Sequence, residues 1–594
     1  MGDLKTFQAR HLELRHAMLR DGVRAGIPFN EKDLRTISSR ISSEGSSFVE
    51  VTLPLLGRAL DLGLVSGTFA CPPHFALKRP SQLPRFLYPV FSRIFDDSGK
   101  IRPDACEVTI KHLRQFLLLD SKLEIPYKPE VEEAFIERFA QQQASLREVR
   151  VQQDHPVLEI ATKLIEIVFR KFPTHHHFNP GHGPGGVAEG YDRDEKWDFS
   201  SWPKKAEKWF PYLVYGTPNI GVSIARGKPV RLYSLSITRG CLVAKDFRGP
   251  RLISIEPTAM QYLQQGMMKH LMHYLEHHDL FSQSVRLNDQ SFNRTLAGEA
   301  FTKGYATVDL SSASDTLSAP LVWFLFSKVP KLRRLLFSLR SDFVAFGNKQ
   351  IRLSAFAPMG SAICFPIETV VFWAISVASL KLCRPRDPFR LLAREVRVFG
   401  DDIIIPNDQS LQSLIGTLQS VGCTPNMSKT CFETPFRESC GGEWFRDRDV
   451  TIIRNKHYLY TSSPTLANYL VIANLQRKFF LHGFYITAAL LLEWATKVYP
   501  PVIVKPQDLP KSGLAEHDFY CYSDYRECDA PVRYNRSLQR FEALVPCLTQ
   551  KTRGWSANLD WSRLTARLIG DSTERLARRH SNVRRAWRFL PFVP

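Results

Sequence analysis

The first residues, MGDLKTFQARHLELRH, lack the apolar core of a secretory leader, so export is not expected. No apolar run reaches the length of an uninterrupted membrane span. The nearest cases, around residues 370–380 and 484–492, read as buried helices, and stable membrane insertion is not expected. The 11 cysteines are odd in number and show no repeated CxxC spacing, which argues against a disulfide framework and proposes no zinc site. Reduced thiols in a cytosolic compartment fit them better. There is no internal repeat and no long low-complexity tract. MGDLKT does fit the myristoylation pattern at Gly2 and Thr6, but the pattern is short and an acid follows Gly2 directly.

What is present is charge of one sign. The chain has 594 residues, long enough for several subdomains and a large core, and its 79 Lys+Arg against 59 Asp+Glu give a net charge of +20. Such a surplus favours a polyanionic partner, nucleic acid before anionic membrane, because neutralising phosphates releases counterions. Charge alone names no reaction.

Chemistry enters with the acids. In EVRVFGDDIIIP, residues 395–406, Asp401 and Asp402 follow Gly400 between two apolar runs, which reads as a β-hairpin. A Gly-Asp-Asp tip is either an ordinary surface turn or a rigid mount for a hard divalent cation. A third acid, Asp309, ends the apolar strand of residues 306–308 in GYATVDLSSASDTLS, and Asp315 follows on the helix-entry turn, where it could simply cap the helix. Next come a Pro-Met-Gly-Ser loop feeding a long apolar helix, the hairpin, a helix over residues 411–421, and CTPNMSKTCF, read as a returning strand carrying Lys429. That order fits an antiparallel sheet backed by helices, a split βαβ arrangement. It brings the strand of Asp309 beside the hairpin of Asp401. Three carboxylates converging on a basic chain suggest two Mg²⁺ ions, about 3.5–4 Å apart, clamping the oxygens of a phosphoryl displacement. In LVAKDFRGPRLISIEP, Lys245, Arg248 and Arg251 surround a Gly-Pro turn and suit a phosphate cradle, or else are a basic surface loop.

Two features stay outside this scheme. FPTHHHFNPGHGPGG sets His175, His176, His177 and His182 among Pro and Gly, and an RNA-contacting or structural loop is favoured over a metal site. The end of the chain carries eight Arg from Arg563 to Arg588 against Asp571 and Glu574, either a solvated helix face or an RNA- or partner-binding helix.

The series DLSSASD, PMGSA, FGDD, SKT and PFRESCGGEWFRDRDVTIIR resembles motifs A to E of viral RNA-dependent RNA polymerases, in order and at comparable spacing. RESCG after GDD, with RLISIEP and LNDQSFN earlier, makes it most similar to replicases of leviviruses, the small RNA phages, and their ourmia-like relatives. The resemblance covers residues 240–455. It implies an α+β right-hand polymerase: residues 1–294 as amino-terminal region and fingers, 295–434 as palm, 435–594 as helical thumb and basic tail. It implies that Asp309, Asp401 and Asp402 hold Mg²⁺, with Mn²⁺ as a substitute, and that Asp315 senses the ribose 2′-hydroxyl. Ser361 would position template and nucleotide, Lys429 would protonate the leaving pyrophosphate, and Lys245, Arg248 and Arg251 would hold the triphosphate. Phe399 stands where the motif often has Tyr, and Ser361 where some phage replicases carry Asn. Implied partners are a single-stranded RNA template, NTPs and host translation factors forming a holoenzyme. Two other readings stay open. A reverse transcriptase shares the acids but generally carries a bulky aromatic near Asp315, against the small residues 311–314; a non-catalytic RNA-binding or packaging protein needs only the charge.

Overall fold

The computed structural model of the chain describes residues 2–124, 126–174, 178–183, 185–191, 195–217, 230–457, 459, 466–498, 532–537, 539–550 and 583–591. The chain divides into two compact units, and Pro126–Thr451 forms the bulk of the one that holds the acids.

In that unit the elements that matter are, in chain order, helices α1 (Pro129–Glu148) and α2 (Pro156–Phe169), strands β1 (Ile237–Asp246) and β2 (Gly249–Ile255), helix α3 (Thr258–Glu276), strand β3 (Tyr305–Val308) and the single turn α4 (Ala313–Thr316). There follow β4 (Phe343–Phe346), β5 (Lys349–Arg352), helix α5 (Cys364–Cys383), β6 (Arg397–Phe399), β7 (Asp402–Pro406), helix α6 (Gln409–Ser420), β8 (Phe436–Ser439) and β9 (Gly442–Phe445). Helix α5 is the axis of the core. Apolar on every side, it packs against α2 and α6, and residues 370–380 are completely buried. Its Pro366 falls in the first turn, where no intrahelical donor is lost. This helix corrects one reading of the sequence: at 20 residues it is long and apolar enough to cross a membrane by length and composition, yet it is buried as a core helix.

One face of α5 is covered by a three-stranded antiparallel sheet in the order β3-β7-β6. Ala306 and Val308 on β3, and Ile403 and Ile405 on β7, enter the core; strand alternation sends Thr307 and Ile404 to the opposite face. The basic segment lies in a second sheet, ordered β2-β1-β4-β5. CTPNMSKTCF is not the strand expected. It touches the sheet only through isolated bridges, Pro425 to Leu310 and Cys431 to Thr307, with a turn between them. Its Pro and Asn-Met-Ser-Lys stretch favour a turn over a ladder.

The other unit joins residues 1–125 to the described residues from Ile452 onward. Asp21 accepts bonds from the amides of Ile486 and Thr487, both at 2.8 Å, and so satisfies the first turn of the helix Tyr485–Val498. Gln115 exchanges two bonds with the backbone of Ile453, at 2.8 and 2.7 Å. The region expected to be a helical thumb does hold the helices Leu466–Leu481 and Tyr485–Val498, but it is not helical throughout. Val532–Asn535, Arg540–Gln550 and Val583–Pro591 form a three-stranded antiparallel sheet. Part of the Arg-rich tail, read as a helix, is therefore a β-strand, as its Val, Trp and Phe content allows. Arg563 to Arg579 lie outside the described residues, as do His175, His176 and His177.

Candidate active site

Register places the acids. Val308 pairs with Ile403 and Phe399 with Asp402, so continuing the ladder by one residue sets Asp309 opposite Asp402. Gly400 and Asp401 are then the two residues of the hairpin turn. Gly400 has φ +63°, a value glycine adopts without strain, and its amide donates to Thr369 Oγ1 of α5 at 3.0 Å. The turn is thereby pinned to the core helix, and Asp401 is held beside Asp402 and Asp309.

The charge is concentrated. Burial, then repulsion from Asp401, Glu438 and Asp309, pushes the Asp402 carboxyl up to about 7. Burial, then Asp309, raises Asp401. Asp309 is held in place: Asn426 Nδ2 donates to its Oδ2 at 2.9 Å, and Lys429 Nζ lies 3.4 Å from its Oδ1. Lys429 also approaches Glu438 at 3.7 Å. Burial pulls the Lys429 ammonium down, but Glu438, Asp309 and Asp402 outweigh it and hold it above the ordinary lysine value.

The RESCG stretch wraps this cluster residue by residue. Arg437 Nε donates to the Tyr305 carbonyl at 2.8 Å, Glu438 faces Lys429, and the Cys440 amide donates to Asp402 Oδ2 at 3.0 Å. Cys440 and Gly441 both have positive φ, +49° and +72°, and form the two-residue turn that aims that amide.

The nucleotide-side candidates separate into two groups. Lys245 sits at a bulge in β1 and Arg251 on β2. Burial, then Arg251, lowers the Lys245 ammonium, with Lys429 a further repulsive neighbour, so the three cations share one electrostatic field. Arg248 lies at the exposed edge of the same field, paired to Asp246 at 2.8 Å. Asp315 does not cap a helix: Ser318 caps the next one, accepting from the Leu321 amide. The Asp315 carboxyl is buried and pushed up to about 7 by burial, against the pull of Arg251 and Lys245. Among the described residues its Oδ1 has no hydrogen-bond partner, and neither has the Ser361 hydroxyl. Ser361 follows Gly360, whose φ of +116° and close approach to the Ser254 carbonyl leave no room for a side chain. His182 faces Gln261 Oε1 at 3.3 Å amid Trp197, Phe199 and Tyr262, a packing role.

The donor set Asp309, Asp401 and Asp402 is oxygen only, as Mg²⁺ or Mn²⁺ prefers, and its unbalanced negative charge fits a divalent cation. Among the described residues, however, no group of three or more carboxylate, His or Cys side chains is gathered as a ready-made ligand set. Sequence reasoning missed Asn426, Glu438 and the Cys440 amide. RESCG was marked only by resemblance, and nothing local in NMSKT shows that its Asn meets an acid 117 residues away.

In comparison with known proteins, residues 223–491 match the family described as RNA replicase, beta-chain. The individual relatives are phage proteins. The chain is 35% identical over 209 residues to the RNA-directed RNA polymerase beta chain of Escherichia phage MS2, covering 35% of this chain and 36% of that one. It is 32% identical over 263 residues to the RNA-directed RNA polymerase subunit beta of Qbeta virus (strain MX1), covering 43% and 40%. The chain thus spans well under half the length of these relatives. A crystal structure of the insertion loop deletion mutant of the RNA-dependent RNA polymerase of a human picorbirnavirus aligns over 63% of this chain and 77% of that one, at 9% identity and a TM-score of 0.39. The resemblance to RNA-phage replicases drawn from motifs A to E therefore stands on the matched segment.

Proposed function

We propose that the chain is an RNA-directed RNA polymerase that copies a viral RNA genome by nucleotidyl transfer from NTPs. The observation that carries the reading is the register that sets Asp309 against Asp402 beside a Gly-Asp turn, on a unit that also presents Lys245 and Arg251. Asp309, Asp401 and Asp402 would hold the divalent cations, Mg²⁺ or Mn²⁺. When bound, these supply charge neutralisation for the attacking 3′-oxygen and the leaving pyrophosphate. The 3′-oxygen of the growing RNA end bonds to the α-phosphorus, the bond to pyrophosphate breaks, and the 3′-hydroxyl proton passes to solvent water.

The chain's own residues do the rest. Lys245 and Arg251, with Arg248 at the rim, bind the triphosphate. Lys429 is a protonated ammonium held at the site by Asp309 and Glu438, and it would pass a proton to pyrophosphate. Asp315 offers an unmet buried acceptor to a ribose hydroxyl, and Ser361 an unmet hydroxyl to the template–nucleotide pair. Residues 295–434 act as the palm, with fingers before and thumb after. Partners under this reading are a single-stranded RNA template and further subunits from the host, in keeping with the words beta chain and subunit beta in the relatives' names, and the site of action is the host cytoplasm.

The test is incorporation by the purified chain, with and without host extract, on an RNA template with Mg²⁺ and either NTPs or dNTPs. Template-dependent ribonucleotide incorporation supports the reading. Preference for dNTPs would make it a reverse transcriptase, and RNA binding without incorporation under either condition a packaging protein.

A further inference from the structure

Two side chains outside every recognised motif hold the nucleotide side of the site from behind. Gln143 on α1 is 1% exposed. Its Nε2 donates to the Asp315 carbonyl at 2.9 Å, and its Oε1 accepts from the amides of Ser354 and Ala355 at 2.8 and 3.0 Å. Those amides lead directly into the Pro358–Ser361 loop. They are themselves laced to the exit of α4, because Ala319 N donates to the Ser354 carbonyl and Phe356 N to that of Leu317. A planar primary amide is the group that can donate to one segment and accept from the other at once; a carboxylate or an ammonium cannot.

Sixteen residues earlier in the chain, just before α1, Tyr127 does the same for the basic hairpin. Its hydroxyl donates to the Asp246 carbonyl at 2.6 Å, shared with that of Gly249 at 2.9 Å, and accepts from the Lys245 amide at 3.2 Å. Asp246 and Gly249 are paired across the hairpin tip, and Lys245 lies at the bulge, so one oxygen fixes the three backbone groups that aim Lys245 and bracket Arg248. Helix α1 packs against both β2 and α4. It therefore touches both the strand of Arg251 and the turn of Asp315.

We propose that residues 127–143 form a positioning brace for nucleotide selection, with Gln143 setting Asp315 against the ribose and Tyr127 setting the basic hairpin against the triphosphate. The inference rests on the polymerase reading above and assigns the two residues separable effects. Gln143→Glu keeps the acceptor toward Ser354 and Ala355 but puts an oxygen against the Asp315 carbonyl. Tyr127→Phe removes a single hydroxyl.

The experiment measures steady-state incorporation of NTP and dNTP on an RNA template by the full chain, with melting temperature and RNA affinity as controls. Gln143→Glu should lower the ribo-to-deoxy ratio of kcat/KM about ten-fold, the size of one hydrogen bond, with RNA affinity retained. Tyr127→Phe should raise KM for NTP and dNTP alike, about three- to ten-fold, with kcat and the ratio near wild type. Should Gln143→Glu not fold, Gln143→Met, which removes all three bonds, is read for the same loss of ratio. An unchanged ratio in a folded Gln143 variant, or an unchanged KM in Tyr127→Phe, overturns the brace. So does a fall in kcat that tracks melting temperature alone. A wild-type chain that incorporates no ribonucleotide in preference to deoxyribonucleotide would instead overturn the polymerase reading, and the brace with it.

Discussion

Lys429 carries a question that only its replacement can answer, because a lysine beside Asp309 and Glu438 can act as fixed charge or as acid. Arginine keeps the charge but, with a pKa above about 12, is a poor proton donor. If Lys429 donates, Lys429→Arg and Lys429→Ala should both lose about 10²–10⁴-fold in rate where chemistry limits. Full speed with arginine would leave charge alone, and a harmless alanine would leave a surface lysine. Asn426 makes a simpler demand. It donates to Asp309 Oδ2, so Asn426→Ala should reduce kcat with little effect on RNA affinity, read by rapid quench and filter binding. A second titratable group lies away from the acids. Glu256, fully buried at the end of β2 with Ser341 as its donor, has its carboxyl pushed from 4.5 up to about 7 by burial. Its proton stays on in the fold while the unfolded chain loses it above 4.5. Its contribution to stability is therefore greatest below pH 4.5, declines as pH rises to about 7 and is flat beyond. Glu256→Gln should remove that decline, visible as a narrowing gap in melting temperature between variant and wild type below pH 7.

At the scale of elements, the hairpin was legible and its surroundings were not. FGDD between two β-branched runs encodes strand, turn and strand within a dozen residues, so Gly400 and the two acids fall where alternation puts them. The strand ending on Asp309 was legible for the same reason. CTPNMSKTCF was misread because Cys, Thr and Phe at its ends suggest β-structure, while its Pro and Asn hold it to isolated bridges. Glu438 and Asn426 meet Lys429 and Asp309 only through tertiary packing, which no local pattern encodes. The loop before α5 offers a direct test of backbone geometry. A Cβ on Gly360 would lie 2.1 Å from the Ser254 carbonyl, and φ is +116°. Gly360→Ala should therefore cost at least about 1–3 kcal/mol and displace Ser361, losing activity together with melting temperature.

On the scale of the whole molecule, a net charge of +20 predicts RNA affinity that falls steeply with salt. Because Val583–Pro591 pairs along Arg540–Gln550, cutting the tail off before Arg563 would expose a strand edge. Neutralising Arg584, Arg585 and Arg588 to Gln is the cleaner probe. If these residues meet phosphate, the slope of log K against log salt should flatten by up to about 2; an unchanged slope would assign them to the fold or to a protein partner. The overall charge and the ordered motifs were readable from the sequence, whereas the mixed strand and helix character of the described residues after Thr451 was not, since short mixed stretches such as VRRAWRFLP suit either state. The decisive measurement is Asp401→Asn, which is nearly isosteric and removes one negative charge from the cluster. Measured beside wild type on one RNA template, it should abolish nucleotide incorporation while leaving template affinity nearly unchanged, because chemistry depends on the carboxylates and binding on the cations. Incorporation at an appreciable fraction of the wild-type rate would contradict the assignment of Asp309, Asp401 and Asp402 as the catalytic centre.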